Sequence, residues 1–149
     1  MFKEKLSIIK IGGNIIEDDT SLNAFLKLFS NLEGKKILVH GGGKQATAIA
    51  SKLGIESKMV NGRRITDKDT LEVITMVYGG LVNKNMVAKL QALQIDAIGL
   101  TGADINSIKS NKRQVTNIDY GFVGDVKEVA SNSIDRLIKA NFTPVFCAI

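Results

Sequence analysis

At 149 residues, 44% hydrophobic and 23% charged, the chain fits one globular domain that buries about two-thirds of its unfolded surface. Aromatics are only 5% and Trp is absent, which argues against stacking platforms for single-stranded nucleic acid. The net charge of +5 is spread along the chain, favouring small anionic ligands over a nucleic-acid stripe, and no apolar run approaches the roughly twenty residues of a membrane span.

In chain order, residues 7–11 read as a short buried strand that stops at Gly12-Gly13. Asp19, Thr20 and Ser21 offer cap chemistry for a helix whose Leu22, Phe25, Leu26 and Phe29 follow three-to-four spacing, with Gly34 at its end. Residues 36–40 predict a second strand, and residues 44–53 a helix closed by Gly54. Asn61-Gly62, flanked by β-type residues, predicts a hairpin within residues 57–66. A long helical stretch follows over residues 67–93, interrupted at Gly79-Gly80 by a kink or a close helix contact. Residues 96–100 form another strand, residues 107–126 two or three short strands, residues 131–140 a helix and residues 144–149 a last strand. The pattern is an α/β protein, an αβα sandwich with a mainly parallel sheet covered on both faces. Because the chain stops in an apolar strand, where an α/β sheet would continue into a loop and helix, it reads as the front part of a longer protein.

Cys147 lies in the run Val145-Phe146-Cys147-Ala148-Ile149 and reads as a small core residue. As the single cysteine it forms no internal disulfide, and with a first strand so near the start the expectation is a cytoplasmic location.

Two strands run straight into glycine turns: Ile8-Ile9-Lys10-Ile11-Gly12-Gly13 and Leu38-Val39-His40-Gly41-Gly42-Gly43. Backbone amides at a helix start, without Cβ atoms in the way, cradle anionic oxygens. A phosphate-loop motif fails, since Leu38 stands where its first glycine belongs and Gln45 where Ser or Thr would hold magnesium. The dinucleotide fingerprint fails too. Two nests remain, which neighbouring parallel strands would place side by side for a phosphoryl donor and a carboxylate acceptor. Lys10 either snorkels out at the strand end or neutralises a transferring phosphoryl group. Arg64 either lies exposed with Arg63 or captures a carboxylate. His40 reads as a strand-end hydrogen-bonding residue, and Asp104, Asp119 and Asp125 as turn formers without metal-ligand spacing.

The ordered set of those two tips with Asn61-Gly62-Arg63-Arg64-Ile65-Thr66, Gly99-Leu100-Thr101-Gly102 and Gly121-Phe122-Val123-Gly124-Asp125-Val126 resembles the N-acetylglutamate kinases of the amino acid kinase family. The resemblance implies an N-terminal acylglutamate-binding domain over residues 1–149, the ATP-binding half being absent from this chain. It implies ATP with Mg²⁺, phosphorylation of the acylglutamate side-chain carboxylate in arginine biosynthesis, and a homodimer built through residues 67–93. It places Lys10 in phosphoryl transfer, Gly12 and Gly13 on the donor phosphates, and Gly42, Gly43 and Arg64 on the acceptor.

The family's later Asn-x-Asn-Ala-Asp segment and second catalytic lysine do not occur here, so the isolated residues are expected to be inactive. Only six residues precede the first predicted strand, so the N-terminal helix of arginine-inhibited hexameric relatives is missing and arginine insensitivity is expected. Arg63, at a position often uncharged in the family, favours an acyl group with its own carboxylate, such as succinyl. Two alternatives stay open: another member of the amino acid kinase family, and a non-catalytic half-kinase that binds an acylglutamate.

Overall fold

The computed structural model describes residues 5–149. Four parallel strands form the central sheet in the order β1 (Leu6–Ile11), β2 (Lys35–His40), β8 (Thr143–Cys147), β5 (Ala97–Leu100). Strand β8, last in sequence, wedges between β2 and β5 and is buried along its whole length. This position explains its unbroken apolar run: a central parallel strand has no solvent face.

Between β1 and β2 come α1 (Gly13–Glu17) and α2 (Asp19–Ser30). The α2 cap is Asp18, one residue before the expected group, and its carboxylate accepts from the Ser21 N–H at 2.6 Å. Helix α3 (Gly43–Lys52) follows β2 and turns the small Ala46 and Ala50 inward, which lets it lie close to its neighbours. The hairpin β3 (Met59–Val60) and β4 (Arg63–Arg64) turns at Asn61 and Gly62, whose φ values of 50° and 76° meet the double left-handed requirement of a tight hairpin.

The long helical stretch is continuous but not uniform. Asp67 caps α4 (Lys68–Ile74), a π-helical segment spans Thr75–Val82, and α5 (Asn83–Ala92) completes it. The Gly79-Gly80 pair is therefore absorbed in a widened turn rather than a break, and such widened turns recur at functional sites. Beyond β5, an antiparallel pair, β6 (Ile108–Lys112) and β7 (Gly124–Val129), precedes α6 (Ser131–Lys139).

The two faces of the sheet are covered unequally. On one, Leu38 and Val145 pack against Leu26, Val77, Met86 and Leu90 from the helices. On the other, Ile37, Leu100 and Phe146 meet Ile138 of α6, with Ile108 and Ile134 packed against them. That second layer stops short of β1, leaving a groove of about 790 Å³ floored by Ile8, Val39 and Phe146. The expectation of a buried first strand is therefore corrected: β1 is an edge strand, and Ile8 is 66% exposed.

Candidate functional site

Ile11 and His40 are register partners, so the glycines after β1 and β2 leave the sheet side by side. Gly12, Gly13 and Asn14 from the first tip and Gly43 and Lys44 from the second line one open cavity of about 550 Å³. Lys44 ties the tips together, donating to Asn14 Oδ1 at 2.9 Å and pairing with Glu17 at 3.0 Å. A Cβ on Gly12 would meet nothing within 4 Å, so this cradle keeps room for anionic oxygens at the backbone. Helix α3 begins at Gly43, where its first amides lack partners within the helix.

The hairpin returns Arg64 to this point. Its guanidinium donates to Gly43 O at 2.9 Å, Thr47 Oγ1 at 2.8 Å and Ser57 Oγ at 2.7 Å. Three of its five N–H donors are engaged in these bonds, which aim the group while leaving donors for an incoming anion. Arg63, the neighbouring cation, is exposed and borders the groove, as does Arg113, which pairs with Asp125.

Gly42 is buried and held close to Tyr78: a Cβ there would stand 3.0 Å from Tyr78 Cδ1 and 3.3 Å from Val82 Cγ2. Tyr78 comes from the π segment and lies beneath Gly42 and Gly43. Burial raises its hydroxyl pKa, with Arg64 pulling the other way, so the phenol stays protonated. Behind the tip, His40 and Asn83 are each 1% exposed. Burial lowers the His40 pKa, which keeps the imidazole neutral.

Gly12, Gly13 and Gly43 thus share one cavity, Arg64 lines the groove and meets the second tip at Gly43 O, and Gly42 lies one residue behind Gly43. Lys10 does not join them in the same way. It is exposed, on the same side of β1 as Ile8, and lines neither the cavity nor the groove. Among the described residues β1 is the outer strand of the sheet, and Lys10 reaches solvent there.

Asp104 accepts from the Thr101 N–H and hydroxyl, and Asp119 from the Gly121 N–H, both as turn formers. Gly121 packs against Thr66: Thr66 N–H donates to Tyr120 O, and Phe122 N–H to Thr66 O. There a Cβ would collide with the Thr66 carbonyl, so the Gly-Phe-Val-Gly run is held across the start of α4 as one wall of the groove. Cys147 is buried, with its thiol pKa pushed up to about 11 by burial, which suits a core residue and not a nucleophile. Among the described residues no group of three or more His, Cys, Asp or Glu side chains converges, and no helix is long and apolar enough to cross a membrane.

Comparison with known proteins agrees with this architecture. The acetylglutamate kinase of Phocaeicola vulgatus is 60% identical over 147 residues, covering 99% of this chain and 57% of that protein. The acetylglutamate kinase of Bacteroides fragilis is 59% identical over 147 residues, with 99% and 56% covered. The chain therefore spans a little over half the length of these curated relatives. A crystal structure from Streptococcus mutans superposes with a TM-score of 0.81 at 23% identity, over 95% of this chain and 58% of that one. The amino acid kinase family pattern matches residues 5–149, and the chain belongs to the amino acid kinase family.

Proposed function

We propose that this chain is the acylglutamate-binding part of a carboxylate kinase, and that the intact protein phosphorylates the side-chain carboxylate of N-acetyl-L-glutamate with ATP, a step of arginine biosynthesis. The observation that carries this reading is Arg64 docked on Gly43, beside the cavity shared by the two glycine tips. On this reading Gly42 and Gly43 offer amides to the acceptor, Arg64 holds its α-carboxylate, and Gly12 and Gly13 contact the donor phosphates. Lys10, at the end of β1, reaches toward the transferring group and offsets its charge. The acceptor carboxylate oxygen bonds the γ-phosphorus as the β–γ bridging bond breaks, giving an acyl phosphate and ADP.

The residues present fit the phosphate end of a nucleotide: the cavity offers glycine backbone and Lys44. None of its six lining residues is acidic, so Mg²⁺ would be carried on the phosphates of the nucleotide. The base would be held by residues outside this chain, in keeping with its partial span of the relatives. The reading places the protein in the cytoplasm as a homodimer. Exposed Met76 and Leu81 on the π segment favour residues 67–93 as the contact. No membrane or nucleic-acid partner is part of it.

Trapping the acyl phosphate as a hydroxamate, with ATP–Mg²⁺ and the intact protein, tests the reaction. Turnover with N-acetylglutamate and not with free glutamate, aspartate or carbamate is expected. Binding without turnover would favour a non-catalytic half-kinase instead. Arg63 at the groove edge supports a second acceptor, N-succinylglutamate, and a clear preference for the acetyl compound in parallel kinetics would remove that reading.

A further inference from the structure

His40 and Asn83 are buried polar groups that the proposed reaction does not use. His40 Nδ1 lies 2.7 Å from Gly41 O, and His40 Nε2 lies 2.9 Å from Asn83 Nδ2. The direction of the Asn83 amide is fixed twice over. Its Nδ2 also sits 2.9 Å from Val145 O, which can only accept, and its Oδ1 sits 3.3 Å from Lys84 Nζ, which can only donate. A reversed amide would set oxygen against oxygen and nitrogen against ammonium. Asn83 therefore donates to His40 Nε2, that nitrogen carries no proton, and the single ring proton is on Nδ1, donated to Gly41 O.

The carbonyl of Gly41 and the N–H of Gly42 belong to one trans peptide unit, so they point in opposite directions. Gripping the carbonyl sets the amide. The unit is flanked by two glycines: Gly42 is packed on Tyr78 and Val82, but a Cβ on Gly41 would meet nothing within 4 Å, so on the Gly41 side no side chain packs against the unit. Strand β5 also accommodates this arrangement: a Cβ on Gly99 would collide with Asn83 Oδ1.

We propose that Asn83 and His40 are a positioning pair that fixes the direction of the Gly42 N–H in the acceptor nest, through the His40 bond to Gly41 O. The pair touches no substrate. It rests on the reading that Gly42 and Gly43 hold the acceptor, and it adds Asn83, which no sequence motif singles out, as the partner of the strand-end His40.

The test uses the intact protein, with two substitutions that separate the two ring nitrogens. His40→Asn places an amide donor near the Nδ1 position and retains the grip on Gly41 O. His40→Gln reaches toward Asn83 and leaves Gly41 O without its donor. His40→Gln is expected to raise the acceptor KM about tenfold or more while the ATP KM moves less than about twofold, and His40→Asn is expected to recover most of that loss. Equal losses in both variants, or acceptor and ATP KM rising together, would overturn the proposal in favour of a purely structural histidine. Nitrogen-15 spectra of the unmodified protein need no variant to fold. A protonated Nδ1 with a bare Nε2 supports the pair, and a proton on Nε2 overturns it. Calorimetry with N-acetylglutamate separates the two levels: no binding by the unmodified protein defeats the acceptor reading and this inference with it. Binding that His40→Gln leaves intact defeats the inference alone.

Discussion

The tip of β2 is backed by a buried polar frame, whereas the tip of β1 springs from an exposed edge strand. Behind Gly41–Gly43 stand His40, Asn83 and Tyr78, with Arg64 clamped across Gly43. Behind Gly12-Gly13 there is a strand with one open face, and the tip continues into a helix of only five residues. The two turns read alike as apolar strand followed by glycines, yet only one is preorganised. A cradle whose dipoles are fixed in advance loses little on meeting its ligand, while one held loosely must be ordered by it.

The largest expected effect strikes the frame from behind. Gly99→Ala puts a methyl group onto Asn83 Oδ1 and crowds Lys84 Nζ, in a site where Asn83 is 1% exposed. A loss of about 2–4 kcal/mol in unfolding free energy is expected by urea titration, with weaker acceptor binding alongside. Gly12→Ala, where a Cβ meets nothing within 4 Å, is expected to stay within about 0.5 kcal/mol. Equal losses in the two variants would erase the contrast between the tips.

Next in size is Arg64→Lys. Lysine keeps the charge but loses the planar fork that bonds Ser57, Gly43 and Thr47 together. Charge-assisted bonds of about 1.5–3 kcal/mol each predict a rise in acceptor KM of about 10- to 100-fold with the ATP KM little changed. An ATP KM that rises equally would mean Arg64 serves both tips.

The strand–glycine–helix pattern was legible in sequence because buried parallel strands are apolar runs and their stops are glycines. The Asn61-Gly62 hairpin was legible for a similar reason, since its positive φ angles demand such residues. Strand order was not. Nothing local in residues 143–147 says that they insert between β2 and β5, and so nothing local said that β1 would be an edge and Lys10 exposed. Gly12, Gly13, Gly42, Gly43 and Arg64 stood out as motif residues. Tyr78 and Asn83 did not, because they sit in a helical stretch where a tyrosine or asparagine has no distinctive spacing. The only available hint was Gly79-Gly80, which marks the widened turn that carries Tyr78 under the tip. The reason for Gly99 was likewise invisible until Asn83 was seen to fill the space of its missing side chain.

A smaller effect follows from acidification. Burial holds the His40 pKa below its ordinary 6.5, so the unfolded chain takes up a proton before the folded one does. Above pH 6.5 the ring is neutral in both states and its contribution is complete. As pH falls below that value the unfolded state gains protons first and stability declines, levelling off once the folded ring is also charged. Urea midpoints between about pH 7.5 and 5 should fall more steeply in the unmodified protein than in His40→Gln. Parallel slopes would show that the ring titrates alike in both states, and the frame behind β2 would lose its neutral anchor.

The smallest effect tests the looser tip. Lys44 joins the two tips through Asn14 and Glu17, but its side chain is 66% exposed and that of Glu17 27%. Solvent screens such a pair, so Lys44→Ala is expected to change unfolding free energy by less than about 1 kcal/mol. Its consequence should appear instead in the ATP KM, because Lys44 faces the cavity assigned to the phosphates. A large stability loss with no change in ATP KM would invert the comparison. It would make Lys44 the hidden support of the β1 tip, as well anchored as the tip of β2, and the cavity between them would owe its shape to an exposed lysine.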